Sequence, residues 1–587
     1  MTKPRNPFTV VSPEQLAAHE AKQLFVEVFE DFPQIKFAGN AIMFGARGSG
    51  KSMMLRCMLP DVQMDSGSKY GDLDYLSFLI SIKNTELKIT ELDVLERKAS
   101  AYMINEHFFV LTIMVEVLKW LSESGRAELP FDSGAYTRFH EDTYLKSLKF
   151  CRYQGNINHC LNSSSEYFRS LYDHAMCEFH GNFKDYIFSL PIEPDQPLPK
   201  YSLPLFTYSL VLCPFLKGIR DLIGMKDKNV YLFIDDADNL SLTQTKILNS
   251  WIITRNQPTV SLKVSTQTGG YKSFLGTNGV LAETPHDYHE VRISERYTNS
   301  KHIYFKRVRD IVCKRLEQVG ICDVQPEKYF PPYKKQEDAI VAEGARIRSK
   351  WALEGSGYRP SDDVLRYARP NYIRDLGGDS KSRSTYMYAG FEQLVHLSSG
   401  VIRNFLDAAA SMYEEESDDG VLRGITHTVQ DRIMLQKASA KMFSEFPKLE
   451  GDFKPILGGI GVVQKLQNLV FAMGKTFHEI LVSDLSERRV FSIALSNAPD
   501  AEIREVFKFG VQTGYFHEAS VGNKNGTGKT WLYILNRMLA PQFTLDPNGF
   551  AGYLFVTNDA IRAAMYSSKL LRDVTALDEP EQIELFE

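Results

Sequence analysis

Paired cysteines are missing from this chain. Its seven cysteines (Cys57, Cys151, Cys160, Cys177, Cys213, Cys313, Cys322) are odd in number, and no C-x-x-C occurs. That argues against a disulfide framework or a zinc ribbon and fits a reducing compartment. A signal-peptide core is missing as well, since Met-Thr-Lys-Pro-Arg-Asn-Pro-Phe at the start contains no apolar run. The longest apolar stretch, 108–121, carries Glu116 and Lys119. It is too short and too charged to span a bilayer and reads as a buried helix. The expectation is a cytoplasmic protein with no membrane partner. A strong charge of one sign is also lacking. The formal net charge is -5 and the isoelectric point is near 6.3. Nothing global draws the chain to nucleic acid, so any such surface must be a local patch.

What is present is size and a globular composition. With 587 residues, 43% hydrophobic and 24% charged, the chain is too long for one core. Two to four domains are expected.

The chemistry starts at residues 40–52. Residues 41–44 form a short apolar run that reads as a buried strand. Gly45, Ala46, Arg47, Gly48, Ser49, Gly50, Lys51 and Ser52 follow, a complete G-x-x-x-x-G-K-S. An amphipathic segment, 53–59, reads as a helix. Strand, Gly-rich loop and helix is the context a phosphate-binding loop needs. The glycines let backbone N–H groups turn inward toward phosphate oxygens, and the helix N-terminus adds partial positive charge. Lys51 would reach the β- and γ-phosphates of ATP, and Ser52 would ligate Mg²⁺.

A second landmark is the apolar run 229–234 ending in Asp235 and Asp236. In a chain with a phosphate-binding loop this reads as a Walker B strand. Asp235 would hold Mg²⁺ through water, and Asp236 would polarise the attacking water, where many ATPases carry Glu. Asp is one methylene shorter, which predicts slow turnover. A buried strand ending in a solvated acidic turn is the bland alternative. Ser241 and Gln244 read as a capping box opening the next helix. Residues 75–82, 259–264 and 289–293 read as further strands. Strands alternating with helices predict an α/β fold, a parallel sheet with its ligand at the carboxyl edge.

These motifs, in this order, resemble the AAA+ ATPases. The nearest likeness is the origin-recognition (ORC-like) initiator branch and its prokaryotic stand-alone relatives. Asn6-Pro7-Phe8, the P-loop, the Asp235–Asp236 strand and the Ser399-Gly400-Val401-Ile402-Arg403 segment carry the resemblance. It implies that Asn6 and Phe8 pack beside the adenine. It implies that Arg403, on a lid helix, is the sensor 2 contact to the γ-phosphate. It also places a sensor 1 at the tip of the strand after Walker B: Thr266, with Ser265 or Gln267 as alternatives. Stand-alone relatives of this kind look like anti-phage defence components.

Three features depart from the family pattern. Between Ser52 and Val230 lie 177 residues, so a mostly helical insertion is expected at about 85–200. The loop 269–288 contains no arginine, although it is the usual place for a trans-acting arginine finger; Arg255, Arg292 and Arg296 are substitutes at best. Residues 330–388 split the lid. They mix Arg346, Arg348, Lys350, Arg359, Arg366, Arg369, Arg374, Lys381 and Arg383 with Tyr358, Tyr367 and Tyr372. Basic with interleaved aromatics suits nucleic acid. The acids Asp362, Asp363, Asp375 and Asp379 suit an ordinary solvated surface equally.

Three regions follow: an ATPase core over 1–320, a lid over 321–415, and a C-terminal domain over 421–587. In the last, 499–513 reads as an amphipathic helix, and 515–521 with 531–538 as a hairpin. The loop 522–530 imitates a P-loop but has Asn523 where the first glycine belongs. Helix followed by a basic-tipped hairpin is the pattern of a winged helix. Lys524 and Lys529 would then project toward DNA phosphates. The expected protein is an ATP-dependent switch engaging DNA or a partner protein, with homo-oligomerisation open. The alternative is a scaffold that holds nucleotide statically and recruits an effector.

Overall fold

In the computed structural model the described residues are 5–571, apart from 28–31, 65–68, 89–91, 93–99, 124–128, 192–195, 198, 255–257, 294–300, 323, 355–359, 377–385, 417–422, 453–459, 484–488, 523–528 and 549–551. The chain divides into two compact units. One comprises Ser12–Gly45 and Lys51–Ile293; the other comprises Met1–Val11, Ala46–Gly50 and Ser294–Glu587.

The first unit is built on five strands: β1 (Ala41–Gly45), β2 (Tyr75–Ser81), β3 (Asn229–Asp235), β4 (Val260–Gln267) and β5 (His289–Arg292). Every pairing is parallel, in the order β2-β3-β4-β1-β5. Ile42, Leu76, Leu232 and Leu262 are fully buried, as strands covered on both faces must be. Because β3, β4 and β1 are neighbours, their carboxyl ends meet at one edge of the sheet.

The helical insertion surrounds the helix Ala101–Ser122. This helix is long and apolar enough to cross a membrane, yet most of it is buried inside the protein. Phe108 stacks on Phe183 with ring centroids 4.4 Å apart. Glu106 anchors the insertion to the sheet layer: its Oε1 accepts from Trp251 Nε1 at 3.0 Å and from the Tyr208 N–H at 3.2 Å. Residues 12–33, opening on Ser12-Pro13-Glu14-Gln15, read in sequence as one helix, but the helix is broken. It runs only over Ala18–Leu24, because Phe25 turns extended, and resumes at Phe32–Lys36.

Lys263, in β4, is a charge placed in this core. It is 2% exposed. Its Nζ donates to Phe37 O at 2.6 Å and lies 4.9 Å from the Tyr231 ring centroid. Burial pulls its pKa down to about 7. The unfolded chain therefore binds more protons from about pH 7 up to the ordinary lysine range, and stability rises with pH across that window. Lys263→Met should remove this slope and raise stability at pH 6 by roughly 1–3 kcal/mol. Denaturant midpoints of both proteins at pH 6 and pH 9 check it; an unchanged pH slope would contradict it.

In the second unit, the helices Lys334–Glu354 and Pro360–Leu376 pair. Ile340, Ile347 and Ala368 form their core, with Trp351, Val364, Tyr367 and Tyr372 packed against it. Further along, Val462–Val482 buries Leu466, Leu469, Val470, Met473 and Phe477. Four strands, β6 (Val490–Leu495), β7 (Phe516–Gly522), β8 (Lys529–Leu535) and β9 (Gly552–Val556), make a second sheet in the order β7-β8-β6-β9. β7 and β8 form an antiparallel hairpin. β8 is antiparallel to β6, and β9 is parallel to it. The helix Ala501–Gln512 precedes the hairpin and is capped by Asp500, whose Oδ1 accepts from the Ile503 N–H at 2.9 Å. Phe507 from this helix stacks on Tyr533 of β8 at 3.9 Å.

Candidate functional site

The Gly-rich loop leaves β1 through two glycines with left-handed backbone, Gly48 (φ 83°) and Gly50 (φ 103°). Side chains rarely adopt those angles. A Cβ on Gly48 would also stand 2.6 Å from Arg403 Cβ. Arg47 is exposed and Ala46 half-buried. Ser49 is 2% exposed, and its Oγ has no partner among the described residues. Lys51 is buried, and its Nζ donates to Gly45 O at 2.8 Å.

Asp235 ends β3 with no exposure. Its Oδ1 accepts from the Asp236 N–H at 3.0 Å and from the Ser265 hydroxyl. Ser52 lies beside this carboxylate and favours its ionised form. Burial pushes the Asp235 pKa up, and Ser265, Ser52 and the Lys51 charge oppose that shift. Its second oxygen, Oδ2, is buried without a partner among the described residues. A buried carboxylate with one unused oxygen, beside a P-loop hydroxyl, fits a hard divalent cation. Mg²⁺ is held by few protein oxygens, with phosphates and waters completing its shell. Among the described residues no group of three or more His, Cys, Asp or Glu offers another metal site.

Asp236 has φ 57°, a conformation uncommon outside glycine but more tolerated by Asp. Its carbonyl accepts from Asn239 N at 3.0 Å and from Asn239 Nδ2 at 2.9 Å. Thr266 is buried, and its hydroxyl makes a long contact, Oγ1 to Gln267 O at 3.5 Å. Ser265 is the residue of this pair that meets Asp235. Neighbouring strand residues face opposite ways, so only one of them can. Gln267 donates its N–H to Asp238 Oδ1 at 3.1 Å.

On the lid, Arg403 is the second residue of the helix Ile402–Glu415. Its N–H donates to Gly48 O at 3.1 Å. Its side chain is exposed. Asn6 is used at both ends: Nδ2 donates to Ala410 O at 3.0 Å and Glu414 Oε1 at 2.7 Å, while Oδ1 accepts from the Phe8 N–H at 3.0 Å. Phe8 is fully buried against Tyr329, Phe330 and Tyr413. The Asn6–Phe8 segment is thus a staple of the lid core, and the Phe8 ring has no open face. Arg315 completes the staple by donating to Pro7 O at 2.7 Å. The sequence offered no sign of this, since Arg315 reads as an ordinary solvated arginine in a last helical turn.

Arg292 is engaged by Glu290 and lies over the Phe44 ring at 5.5 Å. Arg255 and Arg296 lie outside the described residues, as do Lys524, Tyr358, Arg359, Asp379, Lys381 and Arg383. Lys529 opens β8 opposite Gly522. In the lid segment, Arg346 pairs with Glu343 at 2.7 Å, Arg369 with Glu337 at 3.1 Å and Arg374 with Asp375 at 3.9 Å. Tyr367 and Tyr372 serve the helix pair's own core. Arg346, Arg369 and Arg374 are thus paired with acids of the same segment, and both tyrosines are used in its core, as the solvated-surface reading expects.

A parallel sheet in this order, with a Gly-rich loop after β1 and a buried acid ending β3, defines a P-loop nucleotide-binding fold of the AAA+ class. The chain belongs to the ORC-CDC6-like family, whose profile matches residues 6–354 and 349–555. That membership supports nucleotide binding and a DNA-related function at a coarse level. No curated protein matches the chain. Among solved structures, the Aeropyrum pernix ORC1 protein in complex with DNA aligns over 92% of this chain and 97% of its own, at 12% identity and a TM-score of 0.27.

Proposed function

We propose that the protein is an ATP-dependent switch that hydrolyses ATP slowly and engages DNA through its C-terminal domain. One observation carries the nucleotide part: Ser52 and Ser265 converge on the buried Asp235 carboxylate, which keeps one oxygen unused. When bound, Mg²⁺ would neutralise phosphate charge. Lys51 and the inward N–H groups of the loop hold the phosphates. Ser52 and Asp235 hold the cation, Ser265 orients Asp235, and Asp236 orients the attacking water. Arg403 reaches the γ-phosphate from the lid, and the Asn6–Phe8 staple fixes the segment beside the adenine.

The DNA part rests on family membership and on the helix-and-hairpin order of the C-terminal sheet. We read this region as a winged helix. A helix-turn-helix needs two helices joined by a short turn. A single described helix, Ala501–Gln512, stands between β6 and the hairpin, so the hairpin tip is the stronger contact. Lys524→Glu with Lys529→Glu should weaken duplex binding uniformly across sequences. It should flatten the salt dependence by roughly two units, about 0.9 for each phosphate that the protein no longer neutralises. ATP affinity should not change. Anisotropy with labelled duplex at several salt concentrations tests this; equal binding by the double mutant would remove the hairpin tip as a DNA surface.

A second reading, a nucleotide-holding scaffold, is favoured by Arg292. The loop 269–288 has no arginine, and Arg292 is already bound to Glu290 and Phe44. Wild-type protein that releases no phosphate with or without DNA would decide for the scaffold. A cytoplasmic setting rests on the unpaired cysteines and the missing signal-peptide core, and a place in prokaryotic anti-phage defence on the family resemblance.

A further inference from the structure

The turn before the lid arginine is held by residues far away in sequence. Ser399 (φ 56°) and Gly400 (φ 76°) are consecutive left-handed residues. A serine keeps that conformation only where its surroundings hold it. The Ser399 hydroxyl accepts from the Arg537 N–H at 3.3 Å and lies 3.0 Å from His517 Nε2. With one lone pair taken by the Arg537 N–H, the hydroxyl can donate its hydrogen to Nε2 of a neutral imidazole. Burial, with Arg537 and Lys441 nearby, pushes the His517 pKa down to about 4, so the neutral form is the one present near pH 7.

His517 lies in β7, on the hairpin. The Arg537 guanidinium, just past β8, lies 3.4 Å from His396 Nδ1 and over the Phe491 ring of β6 at 5.6 Å. The turn is thus gripped by the C-terminal sheet. Three residues later, the N–H of Arg403 donates to Gly48 O in the phosphate loop. One short segment carries both contacts.

We propose that His517 is a positioning residue for Arg403: by fixing the Ser399–Gly400 turn it sets where the lid helix begins. ATP affinity then depends on the seating of the C-terminal hairpin. This rests on the reading of Arg403 as the lid contact to the γ-phosphate.

The test is titration of labelled ATP and labelled ADP into the full chain. His517→Leu should weaken ATP roughly 5- to 20-fold, within the usual range of coupling between sites, and leave ADP unchanged. His517→Gln, whose amide oxygen can accept from Ser399, should recover most of that affinity. In an Arg403→Ala background, His517→Leu should add nothing, since both act through one contact. Additive effects, or equal weakening of ATP and ADP, would mean His517 is merely structural and overturn the proposal. If His517→Leu does not fold, Ser399→Gly carries the same test. It accepts the left-handed backbone but lacks the hydroxyl, and unchanged ATP affinity would overturn the coupling. Should Arg403→Ala weaken ATP while His517→Leu and Ser399→Gly do not, the coupling alone fails. Should Arg403→Ala itself leave ATP affinity intact, the lid reading fails and takes the coupling with it.

Discussion

Lys51→Ala should lose most of its affinity for ATP. The ammonium supplies a charge-assisted contact to phosphate, and removing such a contact costs about 1.5–3 kcal/mol or more. That is a loss on the order of tenfold to a hundredfold. The rest of the site argues against compensation. Lys51 is buried and tethered to Gly45 O, so no other cation can take its place without moving the loop. Arg47, the other cation of the loop, is exposed. Removing Lys51 also deprives the buried Asp235 of a charge that favours its ionised form, so cation binding should weaken with nucleotide binding. Titration of labelled ATP, with and without Mg²⁺, checks both. Equal affinities in wild type and mutant would remove the P-loop assignment.

Asp236→Asn should leave ATP binding intact and nearly abolish phosphate release. A positioned acid or base contributes about 10²–10⁴-fold, and the amide cannot take a proton from water. The binding cradle should survive because Asp236 contributes to it through its backbone. Its N–H donates to Asp235 Oδ1 at 3.0 Å, and its carbonyl holds Asn239. Asn also tolerates the left-handed backbone found here. A fall in ATP affinity equal to the fall in turnover would place Asp236 in the cradle instead. Wild-type turnover of zero under every condition would favour the scaffold reading.

Much of the site could be read directly because its signals are local. The apolar run before Gly45 is β1, and the strand before Asp235 is β3. The helical sequence pattern of residues 462–482 is the helix Val462–Val482. Ser241 and Gln244 make the expected capping box. What was not legible depends on long-range packing. Choosing between Ser265 and Thr266 requires knowing which strand face meets Asp235, and a one-residue step reverses it. Tyr367 and Tyr372 alternate with cations in sequence but turn into the helix pair. Phe8 marks the family motif, yet its burial against Tyr329, Phe330 and Tyr413 joins segments more than 300 residues apart in sequence. Ser399 and His517 are 118 residues apart, and neither carries a motif that points to the other.

The measurement that tests the central claim most directly is the reciprocity of ATP and DNA. ATP affinity is determined with and without saturating duplex DNA, and duplex affinity with and without saturating ATP·Mg²⁺, at one fixed salt concentration. A switch requires that each ligand change the other's affinity by the same factor. The expected result is a shared factor of at least about fivefold, absent when ADP replaces ATP. Tight binding of both ligands with no mutual effect would contradict the switch.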